Sequence, residues 1–159
     1  MMLELSGPRA AQVCSALPRL TRESIMTAIE DKDAIRELMA EYCFRLDGGQ
    51  YDDMAALFTA EGTWDTAFGK ATGRATIAKL AADIRARAGS DRPRAAHLVT
   101  NIVISLQGDR AEVRSNWMVM QNSSDGPKIG SGGAYRDEIV QRDGRWFFHY
   151  RKIDRFIAG

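Results

Sequence analysis

A chain of 159 residues suits one domain, and at this size folding buries roughly two thirds of the unfolded surface without help from disulfides. Apolar residues at 45% and charged residues at 27% are ordinary for a soluble globular protein. With 22 basic and 21 acidic residues the net charge is +1, so there is no single-sign field to draw nucleic acid or an anionic membrane, and no apolar run approaches the ~18 residues of a membrane span.

Residues 1–25, MMLELSGPRAAQVCSALPRLTRESI, have no sustained periodicity and lack the basic start and apolar block of a signal peptide. MTAIEDKDAI, from Met26, makes a natural start, so residues 1–25 read as a loosely attached extension and 26–159 as one domain. Thr27 and Glu30 have capping-box spacing, and Glu30, Asp31 and Asp33 suit the positive end of a helix. Ile35, Leu38, Met39, Tyr42 and Leu46 recur at helical spacing and predict a first helix over 27–47, closed by Gly48 and Gly49. A short second helix is expected over 51–58, with Met54, Leu57 and Phe58 on one face. EGTWDTAF (61–68) reads as a short strand or bend. Ile77, Leu80, Ala81 and Ile84 mark a third helix over 73–88 that ends at Gly89.

The second half changes to a period of two, with strands expected over 97–106, 110–121, 128–141 and 145–157. Asp143-Gly144 between two β-rich runs is a type I′ hairpin signal. Gly130, Gly132 and Gly133 in one strand suggest a bulge or bend. Plain alternation groups His97 with Val99 and Asn101, and His149 with Arg151. It sets Leu98, Ile102, Ile104 and Leu106 opposite Val99 and Val103, and Met118 and Met120 opposite Trp117 and Val119. Both faces are then partly apolar; one covers the helices, and the other predicts a homo-oligomer, most simply a dimer. Helices first and antiparallel strands second argue for an α+β fold, with helices packed on one face of a curved sheet.

A few residues carry chemistry. Asp47 sits at the C-terminal end of the first helix, where negative charge opposes the dipole, so its placement invites a functional reason. His97 heads a strand, and a histidine can serve as base and acid in turn. Tyr42 lies on the apolar stripe and suits either the core or a substrate carbonyl. Trp64, Phe68, Trp117 and Tyr135 suit either core or pocket wall; Arg151 suits either a paired structural cation or an anchor for a carboxylate or oxyanion. His149 reads as structural, and Asp52, Asp53 and Asp65 as solvated or capping. Cys14 and Cys43 read as reduced thiols of a cytosolic protein, with no zinc-ligand spacing and only two histidines. GSGG (130–133) lacks the following helix of a phosphate loop.

The order of a first helix with Tyr42 and Asp47, then LFTAEGTW, a Gly-initiated helix, HLVTNIVISLQGDRAEVRSNW and GGAYRDEIVQRDGRWFFHYRKI resembles the SnoaL-like family of the nuclear transport factor 2-like superfamily over about residues 27–157. That resemblance implies a cone, in which a strongly bent sheet wraps helices around a deep apolar pocket, and oligomers built through sheet faces. It also implies a dehydratase-type pair, with Asp47 beside His97, and Tyr42 five residues before the aspartate. The second histidine of the scytalone dehydratase branch and the acidic residue of bile-acid dehydratases are both absent from RSNWMV (114–119). The expectation is a cytoplasmic, cofactor-free and metal-free lyase or isomerase, first of all a dehydratase, acting on a small apolar cyclic molecule. His97, Asp47 and Tyr42 would be catalytic, and Trp64, Phe68, Trp117, Tyr135 and Arg151 would bind substrate. The alternatives are an isomerase or cyclase with Asp47 as base, and a non-catalytic ligand-binding protein or accessory subunit resembling the small subunit of ring-hydroxylating dioxygenases.

Overall fold

The computed structural model describes residues 22–89 and 95–158. Two helices, α1 (Arg22–Asp47) and α2 (Tyr51–Ala56), lead into a hairpin of β1 (Phe58–Thr66) and β2 (Gly69–Thr72). Helix α3 (Arg74–Arg87) follows, then four long strands: β3 (Ala95–Gln107), β4 (Arg110–Ser123), β5 (Gly126–Arg142) and β6 (Arg145–Ala158). The strands form one open sheet in the order β2-β1-β6-β5-β4-β3, antiparallel except where β1 runs parallel to β6. This is the α+β architecture expected from the pattern.

The apolar stripe of α1 goes into the core as its spacing implies. Ile35, Met39 and Tyr42 lose all their surface, and Leu38 and Cys43 nearly all. They meet Ile77 and Ala81 of α3, Phe58 and Trp64 of β1, and Val113, Tyr135, Ile139 and Phe148 of the long strands. Each large apolar side chain fully buried in this way contributes roughly 1.5–3 kcal/mol.

The start of α1 corrects one expectation. The helix begins at Arg22, so Met26 lies inside it and Thr27 is in its second turn rather than at a cap. Residues 1–21, Cys14 among them, lie outside the described residues. Asp31 is therefore mid-helix, and its carboxylate serves a tertiary purpose. Its Oδ1 accepts hydrogen bonds from Gln141 Nε2 at 3.1 Å and Trp146 Nε1 at 2.9 Å, tying α1 to the β5–β6 hairpin.

The second helix ends early, and Phe58 opens β1 instead of closing α2. Pairing decides this: the Phe58 Cα faces Phe148 across the parallel ladder, and Phe148 N–H donates to Leu57 O at 3.0 Å. Strand β2, four residues without an apolar alternation, exists only as the partner of β1 and has no sequence signal of its own.

Of five register shifts among the described strands, three bear on which expected side chains face inward. In β3 the pairing steps from Thr100 opposite Asn116 to Val103 opposite Arg114, and Asn101 takes φ 53°. The extra residue reverses the alternation. Val99 before the bulge and Ile102, Ile104 and Leu106 after it all pack on the core, while Leu98 and Val103 stay outside. The expected grouping of Leu98 with Ile102, Ile104 and Leu106 is thereby overturned. In β6, Tyr150 faces Glu138 but Phe148 faces Ile139, which leaves His149 as the extra residue. Phe148 and Arg151 are both fully buried while His149 is half-buried, so His149 and Arg151 do not share a face. The third bulge falls at Gly130, within the expected glycine stretch, where pairing steps from Val119–Ser131 to Met120–Ile129. Asp143 and Gly144 both have positive φ, 50° and 74°, as the type I′ turn requires.

Candidate functional site

Helix α1 stops because Gly49 enters the left-handed region at φ 73°. Gly49 N–H then donates to Leu46 O at 3.2 Å and Gln50 N–H to Arg45 O at 2.9 Å, the bond pair of a Schellman cap. Asp47, the last helical residue, is left at the end of α1 against the start of β3. There both of its oxygens are taken by His97: Oδ2 accepts the His97 backbone N–H at 2.7 Å, and Oδ1 lies 2.5 Å from Nδ1 of the ring. Strand β3 is an edge of the sheet, so this N–H finds no strand neighbour and the carboxylate supplies its acceptor. An ionised carboxylate can only accept. Nδ1 therefore carries the hydrogen, and in the neutral ring Nε2 keeps a lone pair. The two side chains are 18% and 21% exposed, neither in bulk water nor sealed from a ligand.

The pair lines a cavity of about 640 Å³ between the sheet and the helices, within the usual range for a small-molecule site. Leu46, Ile84, Val119 and Ile153 give it apolar walls, joined by Tyr42, Trp64, Phe68, Trp117 and Tyr135. Trp117 stacks on Tyr135 with centroids 5.8 Å apart, and its ring lies 6.3 Å from that of His97. Gly133 makes room for this indole. A Cβ there would fall 1.9 Å from Asp154 O and 2.9 Å from Trp117 Nε1, and that Nε1 donates to Asp154 O at 3.2 Å. Phe68, in the turn between β1 and β2, lines the cavity and is 57% exposed. Asp47 and His97 also border a smaller hollow of about 410 Å³ between α1 and β3.

Tyr42 touches the cavity, yet its accessible surface is 0%, so its ring lies behind the first layer of the wall. Its oxygen accepts a hydrogen bond from Trp64 Nε1 at 3.0 Å, which leaves the phenolic hydrogen for another acceptor. Burial pushes the pKa of both Tyr42 and Tyr135 well above the ordinary phenol value, against the opposing pull of Arg151, so both hydroxyls are donors at neutral pH.

Arg151 does not line the cavity, and its reading as an anchor is corrected. The guanidinium is fully buried and paired in bidentate fashion with Asp137, Nε to Oδ1 at 2.8 Å and Nη2 to Oδ2 at 2.9 Å. The rings of Tyr42, Tyr135 and Phe148 each lie 4.1 Å from its central carbon. Burial works against its charge, but the Asp137 carboxylate outweighs that and holds the group firmly protonated. His149 meets Thr59 Oγ1 at 3.3 Å, away from the cavity. Asp65 accepts from Tyr150 Oη at 2.6 Å, and this bond is the main cause of its lowered pKa. Asp52 and Asp53 stand in the first turn of α2, where negative charge suits the helix dipole, but the N-cap is Gln50 and no side chain caps that end.

Arg85, Arg87 and Arg155 do line the cavity, and the sequence reading passed over them. The first two look like cations complementing the end of a helix dipole, and Arg155 sits in a strand whose inward face a bulge had changed. Among the described residues no three His, Cys, Asp or Glu side chains gather in a way that could hold a metal ion.

The sequence model of the SnoaL-like domain matches residues 27–152, most of the chain. The chain belongs to the SnoaL-like family. No curated protein sequence matches this SnoaL-like chain. Among solved structures, a variant of a Mycobacterium tuberculosis protein of unknown function is 27% identical with a TM-score of 0.73, over 83% of this chain and 75% of the other. A candidate scytalone dehydratase from Novosphingobium aromaticivorans is 26% identical with a TM-score of 0.69, over 84% of this SnoaL-like chain and 89% of its own. An NTF2-like protein with a cystatin-like fold from the same organism has a TM-score of 0.72 at 24% identity, over 84% and 88% of the two chains, and shows the fold alone.

Proposed function

We propose that this protein is a dehydratase that moves a proton next to a carbonyl on a small, largely apolar cyclic substrate. The observation that carries the reading is the double hydrogen bond from His97 to Asp47 in the wall of an apolar cavity. Nε2 of His97 takes the proton from the carbon beside the carbonyl. The electrons of that C–H bond move onto the carbonyl oxygen as an enolate, which the Tyr42 hydroxyl stabilises as donor. Asp47 fixes the tautomer and holds the imidazolium that forms. When the enolate collapses, the C–O bond one carbon further on breaks, and the departing hydroxyl takes the proton back from His97 as water.

The isomerase or cyclase reading needs Asp47 as the base. Both of its oxygens already accept from His97, which favours the orienting role. A binding-only protein needs no such constellation, and its presence in the cavity wall supports an enzyme. The likeness to a candidate scytalone dehydratase agrees with this reaction class.

The test is a panel of cyclic β-hydroxyketones followed by the rise of conjugated-enone absorbance. The parent should turn over at least one of them, and His97→Ala should lose roughly 100-fold or more. Full activity in the His97 variant would end the assignment.

A further inference from the structure

We infer that the substrate is an anion: its cyclic body fills the apolar interior, and a carboxylate or phosphate group lies at the opening against Arg85, Arg87 and Arg155. This rests on the reading of the cavity as the substrate site and adds the charge of what enters it. Among the described residues the cavity wall contains three arginines and one carboxylate, and that carboxylate, Asp47, already accepts two hydrogen bonds from His97. Among the described residues the ion pairs involve other cations, and none of the three arginines takes part in one.

The ordinary explanation covers part of this. Arg85 and Arg87 are in the last turn of α3, where cations complement the dipole, and Arg85 Nη1 donates to Gly89 O at 2.7 Å. It does not cover Arg155. That residue comes from β6, pairs with Gly133 and so lies in the same cross-strand row as Trp117. Its one hydrogen bond, Nε to Ile157 O, is long at 3.4 Å and leaves most of its five donors free.

Two separate elements thus bring exposed guanidinium groups to one apolar cavity. Three cations in the wall of one cavity favour an anionic group inside it. The planar fork of arginine matches a carboxylate or phosphate with two parallel hydrogen bonds. The anionic group belongs at the arginines and not beside Asp47, where like charges would oppose it.

Calorimetric titration of the full chain with 2-naphthoate, 2-naphthyl phosphate and the neutral isostere 2-naphthamide tests this. At low salt at least one anion should bind roughly tenfold or more tightly than the amide, by charge complementarity at the rim. That advantage should shrink at about 0.5 M salt, because exposed charges are screened. Arg85→Gln, Arg87→Gln and Arg155→Gln together should abolish it while leaving the amide unchanged. Whichever anion binds more tightly separates a carboxylate substrate from a phosphate one. Equal affinity for the amide and both anions in the parent overturns the anionic substrate and leaves the cavity reading standing; binding of none of the three overturns both.

Discussion

Asp47 and His97 are joined by two hydrogen bonds, and if they are the proposed catalytic pair, single substitutions should show them to work as a unit. Asp47→Asn places an amide where the carboxylate accepted two hydrogen bonds, so the ring is held less well or in the wrong tautomer. Turnover should fall in Asp47→Asn and in His97→Ala, and the double variant should be hardly worse than the weaker single, because the losses share one cause. Single-turnover rates on the parent, the two singles and the double decide this, and additive losses would contradict it. Arg151 belongs to a different class. Arg151→Met leaves Asp137 buried and unpaired, which should cost about 3–5 kcal/mol, whereas Arg151→Met with Asp137→Leu should recover most of the loss. Urea unfolding of the two proteins separates the cases. Cys43 offers a pH test. Burial pushes its thiol up to about 11. The native state therefore keeps a proton that the unfolded chain releases near its ordinary value. The sign follows: this contribution is present below the unfolded pKa and is lost as pH rises towards 11. Peptide mapping after alkylation at about pH 8 should find Cys43 unmodified in the folded protein and modified in urea.

Element-scale behaviour turns on backbone details. Gly133 lies under the Trp117 indole with Asp154 O where a Cβ would sit, so Gly133→Ala must push β6 or the indole aside. Overpacking of this kind costs roughly 1–3 kcal/mol or more. It should also disturb ligand binding, since Trp117 is in the cavity wall; a melting curve unchanged from the parent would refute the close approach. The apolar stripe of α1, the glycine stop after Asp47 and the Asp143-Gly144 turn were legible in the sequence because each depends on residues a few positions apart. The bulges at Asn101 and His149 were not, because nothing local announces them. They arise where a long strand must bend to keep its partner on both sides of the kink, and each moved side chains to the face opposite the one alternation assigned.

For the whole molecule, the corrected faces sharpen the expectation of self-association. Leu98, Met118 and Ile157 fall in one cross-strand row outside the cone, with Met120 and Ile129 paired next to it. Met120 is 44% and Ile129 53% exposed. A second copy of the chain is the expected cover. Sedimentation at micromolar concentration should give a species larger than 17.6 kDa, and Met120→Glu with Ile129→Glu should return it to the monomer. A parent that sediments only as the monomer would rule this out.

The sequence by itself determined the fold class, the helix that ends at Asp47, and a strand with His97 near its start, though that strand begins two residues earlier than expected, at Ala95. These follow from periodicity, caps and turn residues, which act over a few neighbours. Only the tertiary structure decided that Asp47 takes both the ring and the backbone of His97, that Arg151 is sealed against Asp137, and that Arg85, Arg87 and Arg155 meet at one cavity. Each depends on groups far apart in the chain, brought together by the order of strands and by bulges that reverse a face. A change of one residue in strand register carries a side chain from solvent to core, so no local pattern could have fixed these partners.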